Sequence, residues 1–162
     1  MKPRIEMMKV DPKACQAMSA LENYVRNSGI ETPLLELVRM RASQINGCAY
    51  CIDMHTKDAR AAGETEQRLY GLDAWEESPF YSERERAALA WTESLTLVSE
   101  THVPDEVFEK VKKQFSEAEI VALTVAVVSI NGWNRIAIAI RAVAGTYQPQ
   151  APAQQAASHK TA

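Results

Sequence analysis

A capped apolar segment in the last third of the chain constrains the fold more than any other feature. Ser116 and Glu119 have the spacing of a capping box, which marks the start of a helix. The run that follows, Ile120–Ile130, is apolar on every side of a helix. Its β-branched residues would also suit a strand, but the cap and the length of the run favour a helix. Such a helix is buried either in the centre of a domain or against another subunit.

Helical periodicity is common in the rest of the chain, and strand-type alternation is scarce. Ser82 and Glu85 form a second capping box, and Thr32 before Pro33 predicts a cap followed by the first helical position. We expect an extended start over the first ten residues and a kink at Asn131-Gly132. The fold class is therefore all-α, a helical bundle that is oligomeric through its apolar helices, with helices predicted over residues 12–28, 34–45, 48–62, 64–72, 83–98, 104–115, 120–130 and 136–144.

The length and composition of the chain indicate one domain. The chain has 162 residues, of which 46% are hydrophobic, and this is enough for a core. We predict a single helical domain over residues 1–147. Residues 148–162 are rich in Pro, Ala, Gln, Ser and Thr, and this composition predicts a disordered tail.

The charge pattern argues against several classes of partner. The formal net charge is −3, and no basic run indicates nucleic-acid binding. The longest apolar run, Ile120–Ile130, is shorter than the roughly 18 residues of a membrane span, so we expect no membrane contact. The N-terminus lacks the apolar region of a secretory signal. We therefore expect a cytoplasmic protein, and in that reducing compartment a Cys-x-x-Cys pair is more often catalytic or metal-binding than structural.

Two cysteines and a histidine are the most reactive group in the chain. Cys48 and Cys51 follow a helix break at Asn46-Gly47, and His55 stands four positions after Cys51. At a helix start, the unpaired N–H groups and the positive end of the dipole favour a thiolate over a thiol. His55 lies one turn from Cys51 on the same helix face, where it can accept the proton of that thiol.

These groups suit a cycle of thiol oxidation by a peroxide. A thiolate attacks the peroxide oxygen and becomes a sulfenic acid, the second thiol condenses with it to a disulfide, and an external dithiol restores the pair. Glu36 lies upstream, with eleven residues between it and Cys48. If the two helices form an antiparallel hairpin around Asn46-Gly47, Glu36 lies about a helix length from the turn. Spacing alone therefore does not bring Glu36 to the cysteines.

The pattern Glu36-x11-Cys48-x2-Cys51-x3-His55 resembles the core motif of the AhpD-like alkylhydroperoxidases, within the carboxymuconolactone decarboxylase superfamily. The wider resemblance runs over residues 34–144. Flanking residues before the motif and late in the chain are similar to the family as well: Arg41, Gln44–Gly47 and Asn131–Ile136.

The resemblance implies an AhpD-like fold assembled into homotrimers or homohexamers. It implies an antioxidant peroxidase in which Cys51 is the peroxidatic cysteine and Cys48 the resolving one, while Glu36 and His55 form the proton relay. The implied partners are a hydroperoxide substrate and an external dithiol or disulfide reductase, with no cofactor and no metal. Tyr50 departs from the family, whose best-known members have a histidine there, and a tyrosine is a poor base near pH 7.

Three other interpretations stay open. The cysteine pair and His55 could bind a metal, with Glu36, Cys15 or His102 as a fourth ligand, although the second close ligand pair of a structural zinc site is missing. The chain could be a cofactor-free decarboxylase or lyase, chemistry that needs acid and base groups but no cysteine pair. It could also be a non-catalytic redox sensor that exchanges disulfides with a partner.

Overall fold

A single 24-residue helix, Glu117–Ile140, is the longest element of the computed structural model, which describes residues 1–149. Over that range the predicted all-α fold is confirmed, whereas the predicted disorder of residues 148–162 falls almost entirely outside it. A 3₁₀ turn at Leu72–Ala74 joins two of the helices. The described residues form nine α-helices: α1 (Met7–Val10), α2 (Pro12–Arg26), α3 (Thr32–Asn46), α4 (Ala49–Ala61), α5 (Glu66–Tyr70), α6 (Glu83–Thr96), α7 (Val98–Thr101), α8 (Asp105–Lys112) and α9 (Glu117–Ile140).

Helix α9 runs without a break through Asn131 and Gly132, where the sequence predicted a kink. Asn131 Nδ2 donates to the Val127 carbonyl of its own helix at 3.0 Å, so this side chain supports the helix. Gly132 serves close packing, because a Cβ there would lie 2.9 Å from Met18 Cε on α2. The predicted kink was wrong because helix packing, and not a turn, accounts for these two residues.

Helix α9 is buried on one side, whereas its sequence predicted burial all round. Ile120, Leu123 and Val127 lie in the core, but Val121 and Val128 are 57% and 56% exposed. Because it continues past the expected kink, α9 is, among the described residues, the one helix long and apolar enough to cross a membrane by length and composition. Core helices of globular proteins meet the same criterion, and 44% of its most apolar window is buried in the chain. Burial of the exposed valines by another subunit stays a prediction.

Two further differences from prediction lie in the N-terminal part. Met7–Val10 forms a short helix where the sequence predicted an extended chain. Helix α3 begins at Thr32 itself, with Pro33 in its first turn, and the residue before it makes no side-chain cap bond. Thr32 is therefore not the cap that the sequence predicted. The two serine capping boxes are confirmed at Ser82 and Ser116, each closed by a glutamate three residues later.

Helix α3 lies between two hydrophobic clusters and is buried along most of its length. Leu35 and Val38 join the larger cluster, which α2, α6, α8 and α9 complete. Leu37 and Met40 join a second cluster with residues of α4, α5 and α6. Because α3 packs against α4 and α9 as well, any polar side chain on its inner faces is enclosed by protein and must find a protein partner.

Candidate dithiol active site

A tight turn between α3 and α4 positions the two cysteines. Gly47 ends α3 in the left-handed conformation (φ 67°), which a glycine adopts readily, and its N–H donates to the Gln44 carbonyl at 3.1 Å. Cys48 is then the N-cap of α4, and its Sγ accepts from the Cys51 N–H at 3.4 Å. The two cysteines are joined as a disulfide, with Cα atoms 5.4 Å apart. The break and the helix start both lie where the sequence predicted them.

The disulfide is enclosed by its own chain. Cys48 is 1% exposed and Cys51 2% exposed. Ala137 near the end of α9 packs against both cysteines, and Tyr50 and Ala142 add to this small cluster. The segment after α9 therefore helps to cover the sulfur atoms.

Three side-chain hydrogen bonds join the end of α3, next to this turn, to α9. Asn46 Nδ2 donates to Asn131 Oδ1 at 3.0 Å and to Asn134 Oδ1 at 2.9 Å. Asn134 is fully buried, and its Nδ2 donates to Ser43 Oγ at 3.0 Å. The late Asn131–Ile136 segment, which carried part of the family resemblance, thus holds the turn that presents the cysteines.

The structure brings Glu36 to His55. Glu36 Oε2 lies 2.8 Å from His55 Nδ1, and both side chains are buried. Glu36 lies eleven residues before Gly47 and His55 eight residues after it, so two antiparallel helices place these side chains opposite each other. The hairpin does separate Glu36 from the turn, as the sequence indicated, and it pairs Glu36 with the base that stands one turn beyond Cys51.

A chain of charged groups continues from Glu36 away from the cysteines. Arg39 Nη1 donates to Glu36 Oε1 at 2.6 Å, and its Nη2 donates to Glu22 Oε2 on α2 at 2.9 Å. Ser129 Oγ on α9 donates to Glu22 Oε1 at 2.6 Å. Both oxygens of Glu36 therefore have partners, and the hydrogen-bonded set that holds it comes from α2, α3, α4 and α9.

Electrostatics hold Glu36 in its ionised form. Burial alone raises the pKa of Glu36, but the hydrogen bonds and charges of His55 and Arg39 outweigh it and hold that pKa below the ordinary value. An ionised Glu36 accepts a hydrogen bond from the Nδ1–H of His55. Nε2 is buried with no hydrogen-bond partner among residues 1–149. In the neutral form of the ring with Nδ1 protonated, Nε2 carries the lone pair and can accept a proton.

One protein family matches the part of the chain that contains these side chains. The sequence model of the carboxymuconolactone decarboxylase family matches residues 12–94. The chain belongs to the carboxymuconolactone decarboxylase family. This family member is 45% identical to YdfG, an uncharacterized protein of Bacillus subtilis (strain 168), over 140 residues that cover 86% of the chain and 95% of YdfG.

Solved structures of AhpD-like proteins resemble this carboxymuconolactone decarboxylase family member. ATU0492 of Agrobacterium tumefaciens, a protein of unknown function associated by name with the antioxidant defence protein AhpD, is 46% identical, with a TM-score of 0.87. That match covers 90% of this chain and all of ATU0492 (100%). A peroxidase-related protein of Ralstonia eutropha JMP134 with an alkylhydroperoxidase AhpD core shares the fold, at 18% identity and a TM-score of 0.76, over 89% of this chain and 77% of its own. The AhpD-like fold is confirmed.

Two residues of the site were missed by the sequence analysis. Asp58 stands three positions after His55, and both its carboxylate oxygens accept from the Tyr147 hydroxyl, at 2.7 and 3.0 Å. Asp58 was open to detection, because Cys51, His55 and Asp58 recur at four and three residues, as one helix face requires. Tyr147 gave no such signal, since it lies 89 positions along the chain from its partner.

Several residues considered at the sequence level lie elsewhere in this family member. Arg41 donates to Glu93 and to Asp73. Cys15 is a buried free cysteine on α2, and His102 follows α7. Neither belongs to the cluster of possible metal ligands that occurs among residues 1–149.

One group of possible metal ligands does occur at the site. One donor atom each from Glu36, His55 and Asp58 lies within 4.8 Å of the others. Glu36 is already bonded to His55 and Arg39, and Asp58 to Tyr147, so the carboxylates are engaged in hydrogen bonds. As a disulfide, the sulfurs offer no thiolate ligands. The arrangement resembles a hydrogen-bonded acid–base network more than a cation site.

Proposed function

We propose that this family member is an AhpD-like, thiol-dependent peroxidase that reduces hydroperoxides in the cytoplasm. The observation that carries the proposal is the Cys48–Cys51 disulfide one helical turn from His55, a buried base whose other nitrogen faces an ionised glutamate. The name of ATU0492, at 46% identity, supports the same activity. Enzymes of other chemistry share this family, so the cysteine pair is what favours peroxide reduction.

The reduced site supplies the groups for each step. His55 Nε2 accepts the proton of the Cys51 thiol, while Glu36 stabilises the imidazolium through Nδ1. The Cys51 thiolate attacks the terminal peroxide oxygen, the O–O bond breaks, and the alkoxide takes the proton from His55 and leaves as the alcohol. Cys51 is now a sulfenic acid.

The second half of the cycle restores the disulfide and then the thiols. The Cys48 thiol gives up its proton as its sulfur attacks the sulfur of the Cys51 sulfenic acid, the S–O bond breaks, and the leaving hydroxide takes up a proton and departs as water. The N-cap position of Cys48 favours its thiolate, because the positive end of α4 stabilises negative charge there. An external dithiol then reduces the disulfide and is itself oxidised. We expect a disulfide reductase protein or a small dithiol in this role.

Counting thiols tests the proposal directly. The chain has three cysteines, and an equimolar organic hydroperoxide should lower the free thiols of the reduced protein from three to one, with Cys48 linked to Cys51. Cys48→Ser should stop at a sulfenic acid on Cys51, and Cys51→Ser should not react. Cys15→Ser is the matched control and should still lose two thiols. If the reduced wild type keeps all three, the peroxidase proposal is wrong.

The same variants separate the other two hypotheses. A decarboxylase or lyase of this family needs no cysteine pair, so its activity on a small lactone or keto acid would survive Cys48→Ser and Cys51→Ser. A redox sensor would form the disulfide but would not turn over. Repeated consumption of hydroperoxide with dithiothreitol as the reductant therefore distinguishes an enzyme from a sensor.

A further inference from the structure

Helix α4 presents a third reactive side chain beside the base. Cys51, His55 and Asp58 lie on one face of this helix, at intervals of four and three residues. A carboxylate oxygen of Asp58 lies within 4.8 Å of a ring nitrogen of His55 and of a carboxylate oxygen of Glu36. Two carboxylates therefore border one buried imidazole, and only Glu36 is hydrogen-bonded to it.

The charges around His55 are unbalanced when its ring is neutral. Glu22 and Glu36 share the guanidinium of Arg39, whereas the carboxylate of Asp58 lies within 4.8 Å of Glu36 and His55. A positive charge formed on the ring when it takes up a proton therefore lies close to the carboxylates of Glu36 and Asp58, and opposite charges attract. The titratable and charged groups around the ring belong to three parts of the chain. Cys51 and Asp58 share α4 with His55, Glu36 on α3 is bonded to the ring and to Arg39, and Tyr147 beyond α9 is bonded to Asp58 and lies close enough to Tyr50 to feel its charge.

The segment after α9 holds Asp58 in this position. Its Tyr147 hydroxyl donates to both oxygens of Asp58. The Gly145 N–H donates to Asp53 Oδ2 at 2.9 Å, and Lys57 Nζ donates to the Tyr147 carbonyl at 3.0 Å. Burial, followed by the bond to Asp58, raises the pKa of Tyr147 to about 12, so its hydroxyl keeps its proton at neutral pH. The segment thus supplies a permanent donor to the second carboxylate.

We propose that Asp58 is a positioning residue for the base His55, and that Tyr147 keeps Asp58 at the site. Asp58 stabilises the imidazolium that forms when His55 takes the Cys51 proton, and so promotes the Cys51 thiolate. Tyr147 acts only through Asp58. This assignment rests on the proposed function, because a role of Asp58 in turnover requires that the protein is a peroxidase. The effect of Asp58 on the Cys51 thiolate, however, can be measured with no peroxide present.

The test follows the pH dependence of Cys51 alkylation by iodoacetamide in reduced protein, read by mass spectrometry. Asp58→Asn should raise the pH midpoint by about one unit, which is about a tenfold slower reaction at pH 7. Tyr147→Phe should shift it in the same direction by a smaller amount, and should have no further effect in the Asp58→Asn background. Asp58→Glu should restore part of the loss. Tyr70→Phe is the matched control, since Tyr70 donates to Glu66 at 2.8 Å on the exposed surface, and it should leave the midpoint unchanged.

The outcomes are distinct. An unchanged midpoint in folded Asp58→Asn overturns the role of Asp58 and shows that it only anchors the C-terminal segment. Additive shifts in the double variant overturn the statement that Tyr147 acts through Asp58. If Asp58→Asn does not fold, Tyr147→Phe decides, because it removes one hydroxyl, and an unchanged midpoint there rejects the proposal. Failure of wild-type thiols to react with hydroperoxide would instead reject the peroxidase and leave these midpoints standing.

Discussion

Two arginines in this molecule have similar partners and different surroundings. Arg39 joins Glu22 and Glu36, and its side chain is 7% exposed. Arg84 joins Glu31 and Glu119 in the same manner, but its side chain is 26% exposed and that of Glu31 is 54% exposed. Each guanidinium thus bridges two carboxylates from different parts of the chain, one inside the helical bundle and one at its surface.

The difference in burial supports the functional role that we propose for the set around Arg39. Exposed ion pairs contribute about 0–1 kcal/mol each, because water competes for both charges. Buried ion pairs lose hydration that their attraction often fails to recover, so replacement by apolar residues is frequently neutral or stabilising. A buried carboxylate–arginine–carboxylate set is therefore poorly explained by stability alone. It leads through Glu36 to His55, whose Nε2 has no hydrogen-bond partner among residues 1–149, and orientation of this ring is consistent with the proposed function.

Replacing each arginine should give the largest difference in stability between the two sets. Arg39→Met should lower the free energy of unfolding by about 3–5 kcal/mol, because the buried Glu36 and the partly buried Glu22 lose their cationic partner. Arg84→Met should cost about 1 kcal/mol, partly through loss of the guanidinium stacked 3.9 Å above the Phe115 ring. Urea unfolding of both variants measures the difference, and equal losses would contradict the distinction between the two sets.

The pH dependence of the free energy of unfolding should give the next largest difference between the Arg39 set and the Arg84 set. The pKa of Glu36 is lowered, so its contribution is complete above the ordinary value near 4.5 and is lost as pH falls through the lower folded value. Glu36→Gln should cost about 2 kcal/mol at pH 7 and flatten the loss of stability below pH 4.5. Glu119, bonded to the Ser116 N–H and Arg84, has a pKa of about 2, so its contribution persists to lower pH. A Glu36→Gln profile parallel to wild type would show that Glu36 is not ionised in the folded protein.

The cap of α9 offers the smallest of these effects. Ser116→Ala removes the hydroxyl that accepts from the Glu119 N–H, and should cost about 1 kcal/mol. Ser82→Ala removes the equivalent bond at α6 and should cost a similar amount. Thermal unfolding of the two variants checks this, and alkylation of Cys51 should be unaffected in both. A change in the pH midpoint of Cys51 alkylation would mean that these exposed helix starts also affect the reactivity of the cysteine pair.

Local signals predicted the parts of the fold that local interactions build. The capping boxes at Ser82 and Ser116 and the break at Gly47 were correct, because each is satisfied within a few residues of backbone. The kink at Asn131-Gly132 was wrong, since packing against Met18 overrides the tendency of glycine to break a helix.

The candidate site was predictable only to the extent that one helix contains it. Cys48, Cys51 and His55 share α4, so spacing placed them together. The contact between Glu36 and His55 depends on how α3 packs against α4. No local sequence pattern predicts that packing. Tyr147 reaches Asp58 only because α9 returns the chain to α4, and that is a property of the whole fold.

The cover of the disulfide has a consequence for biosynthesis. The segment that matches the family, residues 12–94, contains both cysteines, whereas Ala137, Ala142 and Tyr147 come later in the chain. Chains are made from the N-terminus, and their early parts begin to fold first. A nascent chain that has released α4 therefore carries two uncovered thiols until α9 folds over them. An oxidant present during translation can therefore reach Cys48 and Cys51 before the later part of the chain covers them.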